Sequence, residues 1–222
     1  MKKIFFLLTA LLVLTSCAVR VPLANEYWSK PSKVGVFVNV NDPTKSRQGS
    51  QGILDYALTS GDKYAPVLSK ADEKLNPKTK LIAMYTDLLK AKGKEVVLIN
   101  DAFDAKTAEK YKGTKVEGKK YSNYDFTYLK SKYNVDEVLF VNLNWGLMIS
   151  YYSMIETGRA GFAYFDTRLV NTTDNSLYLS NDNIQQTPLK GKWNVEPEYE
   201  AAVSNIGSTL DKAIEIEKTL FK

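Results

Sequence analysis

The sequence predicts an α/β (α+β mixed) fold: one domain, with a mixed parallel and antiparallel sheet packed by helices, in the order β-α-β-α-β-β-β-α. Three observations predict it. Two runs with helical apolar spacing are each followed by a short strand-like run, as in strand–helix–strand crossovers. Three further apolar runs are separated by turn residues, as in an antiparallel meander. An amphipathic helix closes the chain.

Residues 33–40, Lys-Val-Gly-Val-Phe-Val-Asn-Val, read as the first strand, and Asn41-Asp42-Pro43 ends it with turn residues. A polar stretch through Gly49 and Gly52 reads as a loop, and 53–58 as a short helix. Residues 76–93 form a clear helix. Asn76 can cap it, Pro77 suits the first helical position, and Gly93 suits the left-handed exit. Leu81, Met84, Tyr85 and Leu88 give one apolar stripe. Residues 94–99 then read as a buried strand.

Residues 101–121 are lysine-rich and weakly patterned, with a short helix expected over 105–111. Ser122 is expected to cap a second helix that carries Phe126, Leu129 and Tyr133 on one side and leaves through Asn134. Residues 135–145 make the strongest strand. Leu139, Val141, Leu143 and Trp145 point one way, Val138 and Phe140 the other, as for an interior strand. The apolar pattern runs on over 146–155, 156–159 is expected to turn, and 160–170 returns as a strand. A second turn over 171–176 leads to a short strand at 177–180. After a polar loop, Pro197 opens the last helix, with Val203, Ile206, Leu210, Ala213 and Ile214 on its buried side.

The amino terminus has a separate logic. Met1-Lys2-Lys3 is a positive start, residues 4–14 are apolar apart from Thr9, and Leu14-Thr15-Ser16-Cys17 closes the run. The order is that of a secretion signal, and the run is too short to span a bilayer permanently. The Leu-Thr-Ser-Cys ending resembles the lipobox of bacterial lipoproteins. That resemblance implies cleavage before Cys17 and three acyl chains on it, enough for firm membrane attachment. Residues 1–16 are then a signal peptide, 17–32 the lipidated cysteine and a tether, and 33–222 a single globular domain. In Gram-negative lipoproteins an aspartate after the cysteine directs inner-membrane retention; by that resemblance Ala18 implies the outer membrane, facing the periplasm, and in a cell that is not Gram-negative the same anchor implies a cell-membrane lipoprotein. No later stretch reaches the ~18 apolar residues needed to span.

Composition excludes several chemistries. The chain has no histidine, so a Ser-His-Asp triad, a Cys-His pair and a His-bearing zinc site are all impossible. With its one cysteine lipidated, no thiol remains for a disulfide. Net charge is +5, and loss of Lys2 and Lys3 with the leader lowers it to +3, which is no nucleic-acid footprint. No cofactor, metal site or catalytic residue is expected.

Several constellations carry bland readings. Gly49-Ser50-Gln51-Gly52 lacks the lysine and spacing of a phosphate loop and reads as a plain loop. Lys106, Lys110, Lys112, Lys115, Lys119 and Lys120 read as a solvated flap. Asp136 and Glu137 are adjacent on a strand, so their side chains point to opposite faces and do not share a substrate. Asp166 and Arg168 share a face and are expected to pair. Trp145, Tyr151, Tyr152, Phe162, Tyr164 and Phe165 cluster on the meander, where core packing and a partner surface both accommodate them. Tyr151, Tyr152, Phe162 and Tyr164 are the partner-binding candidates.

A second resemblance rests on three steps. Residues 88–97 (Leu-Leu-Lys-Ala-Lys-Gly-Lys-Glu-Val-Val), 129–139 (Leu-Lys-Ser-Lys-Tyr-Asn-Val-Asp-Glu-Val-Leu), and Arg168-Leu169-Val170-Asn171 followed by Ser176-Leu177-Tyr178 resemble the corresponding steps of TolB amino-terminal-like lipoproteins, with Val135 where alanine is usual. That group includes the curli secretion lipoprotein and the penicillin-binding-protein activator lipoproteins. It implies a periplasmic scaffold and leaves the function to the site. The expectation is an outer-membrane-anchored, non-enzymatic binding or assembly module. Its expected partners are the membrane, through lipid on Cys17, and envelope proteins. Homo-oligomers are possible and nucleic acid is not expected. The alternatives are a subunit of a curli-type secretion channel or other pore, and an envelope-polymer hydrolase.

Overall fold

A computed structural model describes residues 20–222, and the elements below are those of the described residues. The strands are β1 (Lys33–Val40), β2 (Thr44–Ser50), β3 (Glu95–Leu98), β4 (Glu137–Tyr152), β5 (Ile155–Asn171) and β6 (Leu177–Pro188). The helices are α1 (Ile53–Leu58), α2 (Ala65–Lys74), α3 (Pro77–Ala91), α4 (Tyr128–Tyr133) and α5 (Glu200–Thr219). They form one mixed sheet in the order β3-β1-β4-β5-β6, with β2 also paired to β4. β3, β1 and β4 are parallel; β4, β5 and β6 are antiparallel. The predicted fold class is the one observed.

The alternation of β4 divides the molecule. Leu139, Val141, Leu143, Trp145, Leu147, Ile149 and Tyr151 all enter the main core beneath α2, α3 and α5. Val138 and Phe140 enter a smaller core on the other face, with Phe37, Phe126 and Leu129. The interior strand read from the sequence therefore has two covered faces at its start. Past Phe140 the second face turns polar: Asn39, Asn41, Asn142 and Asn144 hydrogen-bond one another at 2.7–3.4 Å.

The capping chemistry of α3 is as expected. The Asn76 side chain accepts from the Thr79 backbone N–H at 3.2 Å, and Gly93 leaves at φ 79°. Its buried line is Leu81, Tyr85 and Leu89, with Met84 and Leu88 packed at the margin. α2 has no counterpart in the sequence reading. Its signals are Pro66 in the first turn and the i, i+4 pair Val67 and Ala71, both buried.

Other expectations are corrected. Residues 44–50 are a strand, not a loop: β2 continues past the Asn41–Pro43 kink and pairs with β4 over Gly146–Tyr152. The helix expected from Ser122 forms only over Tyr128–Tyr133. Asn175 accepts from the Phe126 N–H and donates to the Ser122 and Tyr124 carbonyls, holding 122–126 out of helix. The helix over 105–111 does not form, since Lys110 bridges to Tyr124 instead. The turn expected over 156–159 lies inside β5, and the chain reverses at Ser153 and Met154, with Ser153 at φ 52°. Glu156 and Arg159 find partners inside the body. In the fold they bond each other and the Tyr64 hydroxyl. β6 runs to Pro188 through a polar sequence because Asn183 is satisfied by α5, donating to Ala213 O and Glu217 Oε1 at 3.2 Å. Asp166 and Arg168 pair as expected, at 2.7 and 2.8 Å.

Glu217 is fully buried on α5. Its carboxylate accepts from Thr167 Oγ1 at 2.6 Å, Tyr85 OH at 2.9 Å and Asn183 Nδ2 at 3.2 Å. Burial pushes its carboxyl above the usual range in spite of these donors. A raised folded value means that stability is fully present below the unfolded value and is lost as pH rises through the folded one. Glu217→Gln removes that loss. The melting temperature of the variant relative to the natural chain should therefore rise between pH 4.5 and pH 8, as read by calorimetry at the two pH values. A difference that stays constant would mean that Glu217 does not titrate in this range.

Candidate docking surface

Two regions stand out, at opposite ends of β4. The first is the chain that leads into the domain. Cys17, the lipidation candidate, lies outside the described residues, as do Ala18 and Val19. From Arg20 on, the expected tether is instead a strap fixed to the body. Val21 exchanges two backbone hydrogen bonds with Ser180 of β6, both 2.9 Å. A 3-10 turn over Asn25–Ser29 then buries Tyr27 and lays Trp28 against Phe221. Apolar Leu23, Tyr27 and Trp28 have core to cover, which a polar spacer would lack.

Lys94 locks this strap. Its buried ammonium donates to Lys30 O at 2.8 Å, Ser32 Oγ at 2.9 Å and Tyr27 O at 3.1 Å, and lies 3.9 Å from the Tyr27 ring centre. The Tyr27 hydroxyl donates to Glu137, and so does Ser32 Oγ, at 3.2 Å. Burial raises the Glu137 carboxyl and lowers the Lys94 ammonium, and the charge of each opposes the other's shift. Asp136 takes a different partner, the Lys33 N–H at 2.9 Å. The two adjacent carboxylates are thus separately employed.

The four partner-binding candidates do not share one surface. Tyr151 points into the main core and is 4% exposed. Phe162 is 3% exposed, in a small cluster with Met148 and Ala160 on the other face, and Tyr164 packs against that cluster. Gln186 donates to Gln48 at 3.4 Å across the same face. The Tyr164 hydroxyl donates to Asp182 at 2.9 Å, and burial and that carboxylate push it up to about 12. Only Tyr152 faces solvent. Of the predicted flap, Lys119 pairs with Asp174 at 3.1 Å and Lys110 lies 3.7 Å over the Tyr124 ring.

The second region is the far end of β4, and it includes Tyr152. Thirteen large apolar side chains are exposed among the described residues. Seven of them belong to α1 and the β4–β5 turn: Ile53, Leu54, Tyr56, Leu58, Tyr152, Met154 and Ile155. Ile53 is 91% exposed, Leu54 78% and Leu58 73%. α1 is amphipathic the wrong way round: its aliphatic side chains face water, while half-buried Asp55 and Thr59 face the body. A polar clasp holds it so. Arg47 donates to Thr59 Oγ1 and Thr59 O, each at 2.6 Å, and its guanidinium lies 4.2 Å from the Tyr56 ring centre. Gln51 donates to Thr59 Oγ1 at 3.1 Å and to Ser153 O at 2.9 Å, which ties the helix to the turn. Asp55 caps the Gly52 N–H at 3.0 Å. Exposed apolar patches of this make-up are candidate interaction sites. Apart from Tyr152, its residues carry no sequence signal of exposure, because apolar side chains in a short helix are ordinarily core.

Residues 1–18 match the family model of the prokaryotic membrane lipoprotein lipid attachment site. Among curated proteins no relative is found. Several solved structures are similar. Lipoprotein GNA1162 from Neisseria meningitidis is 14% identical, with TM-score 0.31, over 85% of this chain and 99% of its own. Protein XCC0632 from Xanthomonas campestris is 9% identical, with TM-score 0.39, over 91% and 89%. The PelC dodecamer from Paraburkholderia phytofirmans is 12% identical, with TM-score 0.31, over 86% and 91%.

Lys94→Met leaves the Tyr27 and Lys30 carbonyls without their donor and removes the cation beside Glu137. It should cost about 2–4 kcal/mol in chemical denaturation and speed amide exchange at Val21. Tyr27→Phe removes only the hydroxyl donor to Glu137 and should cost less, about 1–2 kcal/mol.

Proposed function

We propose that the protein is a lipid-anchored, non-enzymatic docking module of the bacterial envelope. Lipid on Cys17 holds it to the outer membrane, facing the periplasm, and the exposed end of the sheet engages another envelope component. The match of residues 1–18 to a lipid attachment site supports the anchor. The TolB amino-terminal-like steps read from the sequence agree with an envelope scaffold. The observation that carries the reading is the pinned apolar end formed by α1 and the β4–β5 turn. Leaving such side chains in water forgoes up to roughly 1.5–3 kcal/mol each, which a bound surface recovers.

The buried carboxylates support a non-enzymatic role, because each is spent inside the fold. Glu137 is bonded by Tyr27 and Ser32, Glu217 by Tyr85, Thr167 and Asn183, and Asp166 by Arg168. Confinement to a membrane surface raises the effective concentration of the docking end, so modest affinity suffices.

Cys17→Ala should move the protein from the membrane fraction to the soluble one. A photo-reactive residue in place of Ile155 should form adducts in intact cells, and the same residue in place of exposed Lys190 should not. Adding Leu54→Asp and Leu58→Asp should abolish the adducts at unchanged melting temperature, since both side chains are exposed. Equal adduct yields at positions 155 and 190 would refute docking through this end.

A further inference from the structure

The same surface also indicates what covers it. We propose that the end formed by α1 and the β4–β5 turn is a second membrane contact, seated in the headgroup–acyl boundary of the bilayer that holds the lipid on Cys17. The proposal rests on the docking reading above and names its partner.

Shape favours a fluid surface. Ile53, Leu54 and Leu58 are exposed to an extent that side chains reach only on a convex projection, and Met154 and Ile155 stand beside them on the turn. A bilayer accepts a projecting apolar tip without a matching groove. Chemistry agrees. The outward side chains are aliphatic, and Tyr56 and Tyr152 add two amphipathic rings of the kind that settle at membrane interfaces. The charges nearby are turned back or neutralised. Lys45 donates to Gly61 O at 2.9 Å and Thr59 O at 3.2 Å, Lys63 pairs with Glu156 at 3.0 Å, and Asp55 caps its own helix. The carboxylates of Asp55 and Glu156 therefore do not meet the interface unpaired. α1 presents its apolar face outward, as interfacial helices do, and the clasp of Arg47, Gln51 and Thr59 fixes that face before any contact is made.

Depth is limited by the backbone. β2 stands beside β4 with no described strand on its outer side, and such an edge cannot enter hydrocarbon unsatisfied. The contact is therefore shallow, about 5–10 Å, and is not a spanning hairpin. Placement follows from the strap. Val21 pairs with Ser180, which stands across β5 from Phe140. From Phe140 to Tyr152 β4 advances up to about 40 Å, while the four residues from Cys17 to Val21 reach at most about 14 Å. Lipid and tip are thus separate footholds, and a body held by both lies lengthwise on the membrane.

The test uses the full lipidated chain on vesicles of phosphatidylethanolamine and phosphatidylglycerol. The only natural cysteine carries the lipid, so Ile155→Cys offers a single thiol for an environment-sensitive fluorophore, and Lys190→Cys offers the control. Emission at position 155 should be at least about threefold brighter than at 190, blue-shifted, and quenched by spin-labelled lipid near the headgroups. Leu54→Asp with Leu58→Asp should bring it down to the control. If the chain floats with vesicles while position 155 reports water, the second contact is refuted and the anchor stands. If position 155 stays in water on pure lipid but is shielded once envelope proteins are reconstituted alongside, a protein is the cover, and the bilayer is refuted while docking stands. A chain that does not float refutes anchor and contact together.

Discussion

Double pairing of β4 along its whole length is the constraint on which the other elements depend. β5 covers one edge from Glu137 to Tyr152. The other edge is covered by two strands in succession, β1 as far as Leu143 and β2 from Gly146. Between them the chain spends an extra residue in the Asn41–Pro43 kink. Proline has no N–H to give a ladder, so the break falls where pairing could not continue. Gly146 makes the resumption possible. It sits at φ 134°, and a Cβ there would stand 2.3 Å from the Thr44 carbonyl oxygen. The long strand carries the hairpin turn to the start of α2, where Tyr64 meets Glu156, and leaves the apolar side chains of the turn itself on a free end of the sheet.

Polar groups buried in the body act as fasteners between distant segments. Lys94 and Glu137 tie the amino-terminal strap to the parallel half of the sheet. Glu217 ties α5 to Tyr85 of α3, Thr167 of β5 and Asn183 of β6. Such groups cost desolvation and gain specificity of arrangement, since only one packing satisfies every donor and acceptor. In a chain with one cysteine, which cannot form a disulfide within itself, these networks supply the long-range connections.

The clasp at α1 follows the same logic inverted. Polar Arg47, Gln51 and Thr59 face inward and hold apolar Ile53, Leu54 and Leu58 in water. Hydrogen bonds here maintain a surface that hydrophobicity alone would fold away. The strap and the clasp stand at the two ends of one strand.

The sequence by itself determined the fold class, the two faces of β4, the α3 cap at Asn76, the exits at Gly93 and Asn134, and the amino-terminal lipid attachment signal. Each rests on local periodicity or on one residue's backbone preference, which a linear reading can see. Tertiary structure decided the rest. β2 and the outer half of β6 are polar and became strands because β4 and α5 offered partners for their hydrogen bonds. Residues 122–126 lost their helix to the side chain of Asn175, some fifty positions away. Tyr151 and Phe162 went inward and Ile53, Leu54 and Ile155 outward, because the β2–β4 register and the Gln51–Ser153 tie join residues roughly a hundred positions apart, and the Arg47–Thr59 clasp is a side-chain contact that periodicity does not show.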